Sequence, residues 1–226
     1  MKKTLIFLIT FLFPLLSYSN GVSLGATRIV YHSNIKQTTL VVTNSDKENN
    51  FLIQSWVSDN QGNKNNDFIV TPPLYILDAN KENALRIMYV GAPLPKDRES
   101  LFWMNVKVIP SLEDKLAKEN TMQIAIQSRI KLFYRPSHLP DYNEKFSNEL
   151  KFSYQNDELI VNNPTPYYIT MVNLAVTGSQ LPSSIMLNPL SQLTLGKIHR
   201  DANTISFQTI NDYGAQTPVL KKEITH

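Results

Sequence analysis

Short segments rich in β-branched and aromatic residues recur about every eight to twelve positions and are separated by Pro, Asn, Asp and Gly. This rhythm is typical of an antiparallel all-β sandwich, and a helical period of about 3.6 residues is nowhere sustained. The pattern therefore predicts many short strands joined by turns. The predicted strands are Gln37–Thr43, Phe51–Val57, Phe68–Val70, Asn83–Tyr89, Leu101–Ile109, Met122–Tyr134, Leu150–Tyr154, Leu159–Val161, Tyr167–Val176, Ile185–Leu187, Ser191–Leu195, Thr204–Ile210 and Pro218–Ile224.

The strand pattern is interrupted from Arg135 to Asp141, where Pro136 and Pro140 follow each other closely. Proline fixes its own backbone and restricts the residue before it, so this stretch predicts a stiff linker. The sequence therefore divides into an N-terminal domain of residues 20–136 and a smaller C-terminal domain of residues 137–226.

Residues 1–19 have the pattern of a secretory signal peptide. Lys2 and Lys3 precede an apolar run from Leu5 to Leu16, and the small residues Ser17 and Ser19 follow at the spacing of a cleavage site. The alternative is a membrane anchor, but about 18 or more apolar residues are expected for a span. Export of a chain without cysteine fits a bacterial periplasm, where we expect the mature protein.

Composition narrows the range of functions. Of 226 residues, 42% are hydrophobic and 18% are charged, so the chain has the material for packed cores. Lys and Arg number 22 against 19 Asp and Glu, without a basic run interleaved with aromatics, so no nucleic-acid partner is predicted. The absence of cysteine excludes disulfides, thiolate nucleophiles and Cys-ligated metal sites.

Sequence motifs for catalysis are also absent. The chain contains no G-x-S-x-G, G-x-G-x-x-G or H-E-x-x-H sequence and no phosphate-binding glycine loop. Its four histidines are scattered singly and lack the spacing of metal ligands: His32, His138, His199 and His226. We therefore predict neither enzyme activity nor a cofactor nor a bound metal.

The segment Thr121–Pro136, TMQIAIQSRIKLFYRP, is the most informative part of the chain. As one strand of fourteen residues up to Tyr134 it would extend about 45 Å, past the edge of a single domain. Met122, Ile124 and Ile126 would then form an apolar row on one face. The pattern alone favours packing of this row into the core of its own domain, which is the commonest role of an alternating strand.

Three cations lie on strand-like segments. Lys131 and Arg135 continue the long segment towards the linker, and Arg28 lies in the early run Gly25–Tyr31. From the pattern alone, charges at such positions discourage pairing between strand edges, or simply lie on a solvated face.

Six segments in a fixed order are spread over nearly the whole length of the chain after residue 20. They are GVSLGATRIVY (Gly21–Tyr31), TPPLYIL (Thr71–Leu77), LPKDRESLFWMNVKVIP (Leu94–Pro110), IAIQSRIKLFYRP (Ile124–Pro136), NPTPYYIT (Asn163–Thr170) and INDYG (Ile210–Gly214). Together they resemble the PapD-like family of periplasmic pilus chaperones, which escort fimbrial subunits to an outer-membrane usher. The resemblance implies an all-β fold of two immunoglobulin-like sandwich domains in an L or boomerang arrangement.

In this family a pilus subunit lacks the last strand of its own sandwich, and the chaperone supplies a strand in its place. This process does not use ATP. The resemblance implies that Met122, Ile124 and Ile126 fill the subunit's groove, which reverses the interpretation drawn from the pattern alone. It also implies that Arg28 and Lys131 bind the subunit's C-terminal carboxylate and set the register. Because strict alternation puts Lys131 on the face opposite Met122, we expect a bulge or strong twist between Ile126 and Lys131.

The resemblance further assigns Glu99, Arg135 and Asp212 to an ion network that joins the two domains. Exposed ion pairs contribute only about 0 to 1 kcal/mol, so we expect this trio to orient the domains more than to stabilise them. The lack of cysteine and the short predicted loop Ser111–Asn120 resemble the short-loop branch of the family, which serves rod-like pili. Whether subunit-free molecules self-associate through the apolar row stays open.

The residues alone leave two other functions open. A secreted immunoglobulin-like adhesin or receptor module would bind its partner without any dependence on Lys131. A hydrolase built on a β-sandwich would need clustered acids beside an activated nucleophile, and the sequence shows no such arrangement.

Overall fold

The computed structural model describes residues 21–111, 122, 124–140 and 142–225. The predicted signal peptide and most of the predicted loop Ser111–Asn120 lie outside the described residues. Strands dominate the rest, and a short 3-10 helix covers Glu144–Glu149. No helix among the described residues is long and apolar enough to span a membrane.

Two sheets face each other in the N-terminal half. One has the order β1-β3-β7-β5 and the other has the order β2-β9-β8-β4-β6. Neighbouring strands are antiparallel except for β2 and β9, which run parallel. The strands are β1 (Val22–Leu24), β2 (Arg28–His32), β3 (Thr38–Asn44), β4 (Phe51–Ser58), β5 (Phe68–Thr71), β6 (Leu74–Leu77), β7 (Glu82–Tyr89), β8 (Ser100–Pro110) and β9 (Ile126–Arg135).

The C-terminal half contains strands in the order β13-β12-β15-β16-β10-β11-β14, in which β10 and β16 pair in parallel over only two residues. That short contact joins two groups of antiparallel strands, which enclose a second core. The strands are β10 (Lys151–Gln155), β11 (Glu158–Asn163), β12 (Ile169–Ala175), β13 (Ser184–Leu187), β14 (Ser191–Lys197), β15 (Thr204–Thr209) and β16 (Leu220–Thr225).

Each half has its own hydrophobic core, because alternate residues of its strands point inward. In the N-terminal half Ile53, Leu85 and Met104 are fully buried, and in the C-terminal half Phe207 and Met171 are. The predicted all-β fold of two immunoglobulin-like sandwich domains is thus confirmed. The predicted boundary between residues 136 and 137 falls in the connection between the cores and stays a prediction.

The predicted long strand is shorter in the structure than in the sequence-based interpretation. β9 begins at Ile126 and ends at Arg135, ten residues that extend about 33 Å. Met122 and Ile124 precede the strand, outside its hydrogen-bonded part. Two short strands, β1 and β6, and the 3-10 helix were not predicted.

Of the bulge or strong twist expected between Ile126 and Lys131, the bulge is absent from the pairing with β8. The pairing of β8 with β9 runs without a shift from Val108 opposite Ile126 to Ser100 opposite Tyr134. Strict alternation therefore holds within β9, and Ile126 and Lys131 lie on opposite faces of the strand.

Candidate functional site

β9 separates two environments by the parity of its residues. The even-numbered Leu132 belongs to the N-terminal core, and Ile130 and Tyr134 pack against that core. The odd-numbered Lys131 and Arg135 instead bond to residues of the C-terminal half. One strand thus serves the core with one face and the contact between the halves with the other.

Ile126 is on the core-facing side of β9, and Met122 and Ile124 precede the strand at alternate positions. Side chains of Met122, Ile124 and Ile126 are 88%, 65% and 65% exposed. This rules out the interpretation that the row is buried in its own domain. Three large apolar groups so exposed in a folded chain are candidates for contact with a partner.

The edge of β9 beside this row is unpaired in the described structure. β2 borders β9 only from Lys131 onward, because β2 begins at Arg28, the residue directly opposite. Before Lys131, β9 has β8 on one side and no described strand on the other. Its outward N–H and C=O groups are therefore available to an added strand, which would continue the line of β2.

Arg28 and Lys131 lie where this free edge meets β2. The Lys131 ammonium donates to Thr170 Oγ1 at 2.9 Å, and Arg28 Nη1 donates to the Ile210 carbonyl at 3.1 Å. Arg28 Nε is buried and has no hydrogen-bond partner in the structure. Neither cation takes part in an ion pair among the described residues.

Burial lowers the pKa of both cations, and Arg28 adds to the shift at Lys131. Burial, followed by the positive charge of Arg28, lowers the pKa of Lys131 to about 8. Burial also lowers the pKa of Arg28, although the carboxylate of Asp212 opposes the shift. Two half-buried cations side by side, with donor groups to spare, form a site that favours an anion such as a carboxylate.

Glu99, Arg135 and Asp212 are brought together by the fold. Arg135 Nε donates to Glu99 Oε1 at 2.7 Å, and its two terminal nitrogens donate to Asp212 Oδ2 and Oδ1 at 2.7 and 2.9 Å. Glu99 also accepts from the Tyr168 N–H at 2.9 Å. Glu99 and Arg135 precede the connection between the cores and Asp212 follows it.

This network is buried, which corrects the expectation of exposed ion pairs. The side chains of Glu99 and Arg135 are 1% and 5% exposed, while that of Asp212 is 29% exposed. Burial raises the pKa of Glu99, partly opposed by the charge of Arg135 and the Tyr168 N–H. Removal of Arg135 would leave the buried carboxylate of Glu99 without its cation, a change that is strongly destabilising.

The sequence interpretation missed several residues that hold the two halves together. Thr170 and the Ile210 carbonyl receive the hydrogen bonds from the two cations, and the Pro166 carbonyl accepts from the Glu99 N–H at 2.9 Å. Phe133 packs on Tyr168 with ring centroids 5.7 Å apart. These residues fall in the segments NPTPYYIT and INDYG and on β9, so the segments that carried the resemblance also contained this signal.

The turn after Ile210 touches the N-terminal half through its backbone. Gly214 has a φ of +84°, and a Cβ at this position would collide with Thr27 Oγ1. Thr27 immediately precedes Arg28, so the closeness of this turn fixes Asp212 and Arg28 in the same small region.

Family models match both halves of the chain. Residues 21–140 match the N-terminal domain of PapD, described as a pili and flagellar-assembly chaperone. Residues 145–220 match the C-terminal domain of PapD, described as a pili assembly chaperone.

Curated relatives of the chain include fimbrial chaperones. Chaperone protein FimC of Escherichia coli K12 is 47% identical over 202 residues, which cover 88% of this chain and 83% of FimC. Chaperone protein FocC of Escherichia coli is 43% identical over 217 residues, which cover 95% and 94% of the two chains.

Solved structures of chaperones resemble the fold. The periplasmic chaperone SfaE has 40% identity and a TM-score of 0.76, with 91% of this chain and 100% of SfaE covered. The SafB chaperone of Salmonella enterica, in complex with the SafA pilin, gives 29% identity and a TM-score of 0.80, with coverage of 92% and 98%. By its sequence and its fold, the chain belongs to the PapD-like family of pilus-assembly chaperones.

Proposed function

We propose that this protein binds pilus subunits in the periplasm, stabilises them and delivers them to an outer-membrane usher. The observation that carries the proposal is the free edge of β9, which has an apolar row beside it and two cations at its end. Fimbrial chaperones among the relatives and a chaperone–pilin complex among the similar structures support this function.

A subunit strand placed along β9 would gain two kinds of contact. The backbone of that strand would form hydrogen bonds with the unpaired N–H and C=O groups of β9. The apolar groove of the subunit would cover Met122, Ile124 and Ile126. Full burial of such a side chain contributes about 1.5 to 3 kcal/mol, before the losses of freedom that association entails. Three such anchors and a backbone ladder are sufficient for tight binding without ATP.

The two cations determine the direction of the bound strand. A strand in line with β2 ends against Arg28 and Lys131 only if it runs parallel to β9, so that its C-terminal carboxylate meets the two donors. An added strand lies in the plane of the sheet, so a long lysine side chain reaches its end although the row is on the other face. Anchoring of that carboxylate fixes the register, because a slip by one residue would turn every side chain over.

The buried network of Glu99, Arg135 and Asp212 supports this site from the side. It holds the C-terminal half against β9, so that Thr170 and Ile210 stay beside the two cations. The C-terminal half thus contributes to the carboxylate site without lending a strand.

The proposal is tested by coexpression of the protein with a pilus subunit encoded beside its gene, followed by purification of the complex from the periplasm. We expect an equimolar complex that includes the subunit. A subunit whose C-terminus is extended by two glycines should be recovered at a much lower level, since its carboxylate no longer meets Arg28 and Lys131. Equal recovery of both subunits would contradict the carboxylate site, and failure to recover either would contradict the chaperone function.

A further inference from the structure

Arg129 lies in the part of β9 that has no described strand along one edge. Its side chain is on the odd-numbered, outward face, directly opposite Asn105 of β8. The guanidinium carbon lies 4.3 Å from the centroid of the Trp103 ring. Nη2 donates to the carbonyls of Asp59 and Asn60 at 3.1 and 3.5 Å. These contacts do not involve the apolar row, although Trp103 is the residue of β8 directly opposite Lys131.

Trp103 is itself fixed in place. Its Nε1 donates to Asn60 Oδ1 at 2.9 Å. Asn60 follows closely after the end of β4, where Ser58 is paired with Trp103. The contacts of Arg129 therefore cross the outward face of the sheet from β9, over β8, to the end of β4.

Gln127 makes a similar connection two residues earlier. Its Nε2 donates to Asn105 Oδ1 at 3.0 Å. Asn105 is buried, and its Nδ2 donates to Ser58 Oγ at 2.9 Å and to the Trp103 carbonyl at 3.0 Å. Gln127 and Arg129, the odd-numbered side chains of the unpaired part of β9, thus form hydrogen bonds with residues on or next to β8 and β4. Ile126, on the other face, is exposed.

We infer that Arg129, stacked on Trp103, is a positioning residue that holds the unpaired part of β9 in the plane of the sheet before a subunit arrives. The inference rests on the proposed function and adds a residue to it. A strand with backbone bonds on one side only retains conformational freedom that a partner must remove on binding. Prior fixation by Arg129 reduces that loss and so strengthens binding.

The competing explanation for Arg129 is long-range attraction, because its charge lies two residues from Lys131. The two explanations differ in their chemical demands. Lysine keeps the positive charge of arginine but lacks the planar group that stacks on a ring and donates in a fork. Attraction requires only the charge and weakens with salt, whereas positioning requires the planar group and Trp103.

The test compares Arg129→Lys, Arg129→Gln and Trp103→Leu with the full-length protein. Lys107→Gln is the matched control. Lys107 lies on β8, on the same outward face, and is directly opposite Gln127 of β9. Amide hydrogen exchange of residues 126–130 in the free protein is measured by NMR. Rates of association and dissociation are measured with the coexpressed pilus subunit, at low and high salt.

We expect all three variants to speed exchange at residues 126–130 but not at 132–134, and to weaken subunit binding about threefold to tenfold at both salt concentrations. Lys107→Gln should change neither the exchange rates nor the affinity for the subunit. Wild-type behaviour of Arg129→Lys, or unchanged exchange in all variants, would overturn the inference. Because exchange is measured on the free protein, failure of the wild type to bind a subunit would contradict the proposed function without affecting this test of Arg129.

Discussion

Arg28 and Lys131 face each other on adjacent parallel strands, and neither belongs to an ion pair among the described residues. Like charges so close, and half-buried, are unfavourable until an anion joins them. The arrangement therefore lacks a counter-ion among the described residues, and under the proposed function the subunit's carboxylate would supply it.

Loss of either cation should weaken subunit capture. We expect Arg28→Ala and Lys131→Ala each to reduce affinity for a pilus subunit at least tenfold, because each charge-assisted hydrogen bond to a carboxylate contributes about 1.5 to 3 kcal/mol. Arg98→Ala is the matched control, since Arg98 is exposed and pairs only with Asp97 in the described ion pairs. Affinity is measured on purified complexes. Wild-type affinity of both variants would remove these residues from the site.

Subunit binding should weaken as the pH rises above about 8. Lys131 has a pKa of about 8 and binds a carboxylate only when protonated, so binding is coupled to proton uptake above that pH. Below pH 8 the affinity should be nearly constant, and above it should fall by up to tenfold per pH unit. Titration calorimetry at pH 7, 8 and 9 measures this dependence. A constant affinity across this range would be inconsistent with a titrating lysine in the site.

The free protein should become more stable when the charge at position 131 is removed. The folded-state pKa of Lys131, about 8, lies below its ordinary value of 10.5. Between these two pKa values the unfolded chain therefore binds more protons than the folded one, so the free energy of unfolding rises with pH. Below pH 8 the folded protein bears the full cost of holding a charged, partly buried lysine. Since Lys131 is only half-buried, we expect Lys131→Met to gain roughly 1 kcal/mol at pH 7.

Urea unfolding of the wild type and Lys131→Met at pH 7 and pH 9.5 measures that difference. The advantage of the variant should shrink at pH 9.5, where the wild-type lysine is largely neutral when folded. A variant that is less stable than the wild type at pH 7 would show that Lys131 contributes to the fold itself.

The apolar row should be dispensable for folding and essential for subunit binding. Ile124→Asp and Ile126→Asp place a charge at positions that are 65% exposed, so unfolding midpoints should change little. The same charge should block the subunit's apolar groove and abolish capture. Ile69→Asp, at an exposed isoleucine of β5, is the control and should still capture the subunit. Unfolding of the Ile126→Asp variant would instead return this residue to the core of its own domain.

The buried network should show a graded response to loss of charge. Glu99→Gln leaves the buried Arg135 with Asp212 as its carboxylate partner, so it should cost at most the roughly 3 to 5 kcal/mol of the free energy of unfolding that an uncompensated buried charge costs. Asp212→Asn should cost less, because Asp212 is partly exposed. Asp97→Asn, which removes the exposed pair with Arg98, should cost less than about 1 kcal/mol. Urea unfolding ranks the three variants by their loss of stability. Equal losses would mean that burial of the ion pair does not determine the cost of breaking it.

Much of the fold was predictable because its strands alternate cleanly. Segments such as Phe51–Val57 and Asn83–Tyr89 differ from the observed strands by one residue at an end. β1 and β6 were missed because they are edge strands of three and four residues, and β6 follows two prolines that obscure its pattern.

The site was less predictable, because burial and register depend on contacts between distant segments. Glu99 and Arg135 look like surface charges in sequence, and only the approach of Asp212 and Tyr168 from the other half makes them a buried pair. The expected bulge assumed that the row and Lys131 must share a face. The unshifted pairing of β8 and β9 shows that Ile126 and Lys131 lie on opposite faces of β9.

The division of β9 by parity has an evolutionary consequence. Substitutions at the even positions 122, 124 and 126 alter what the row fits, while the odd positions that join the two halves are left untouched. Under the proposed function, changes in a few side chains would therefore suit the protein to a new subunit, and the contacts between its two halves would stay as they are.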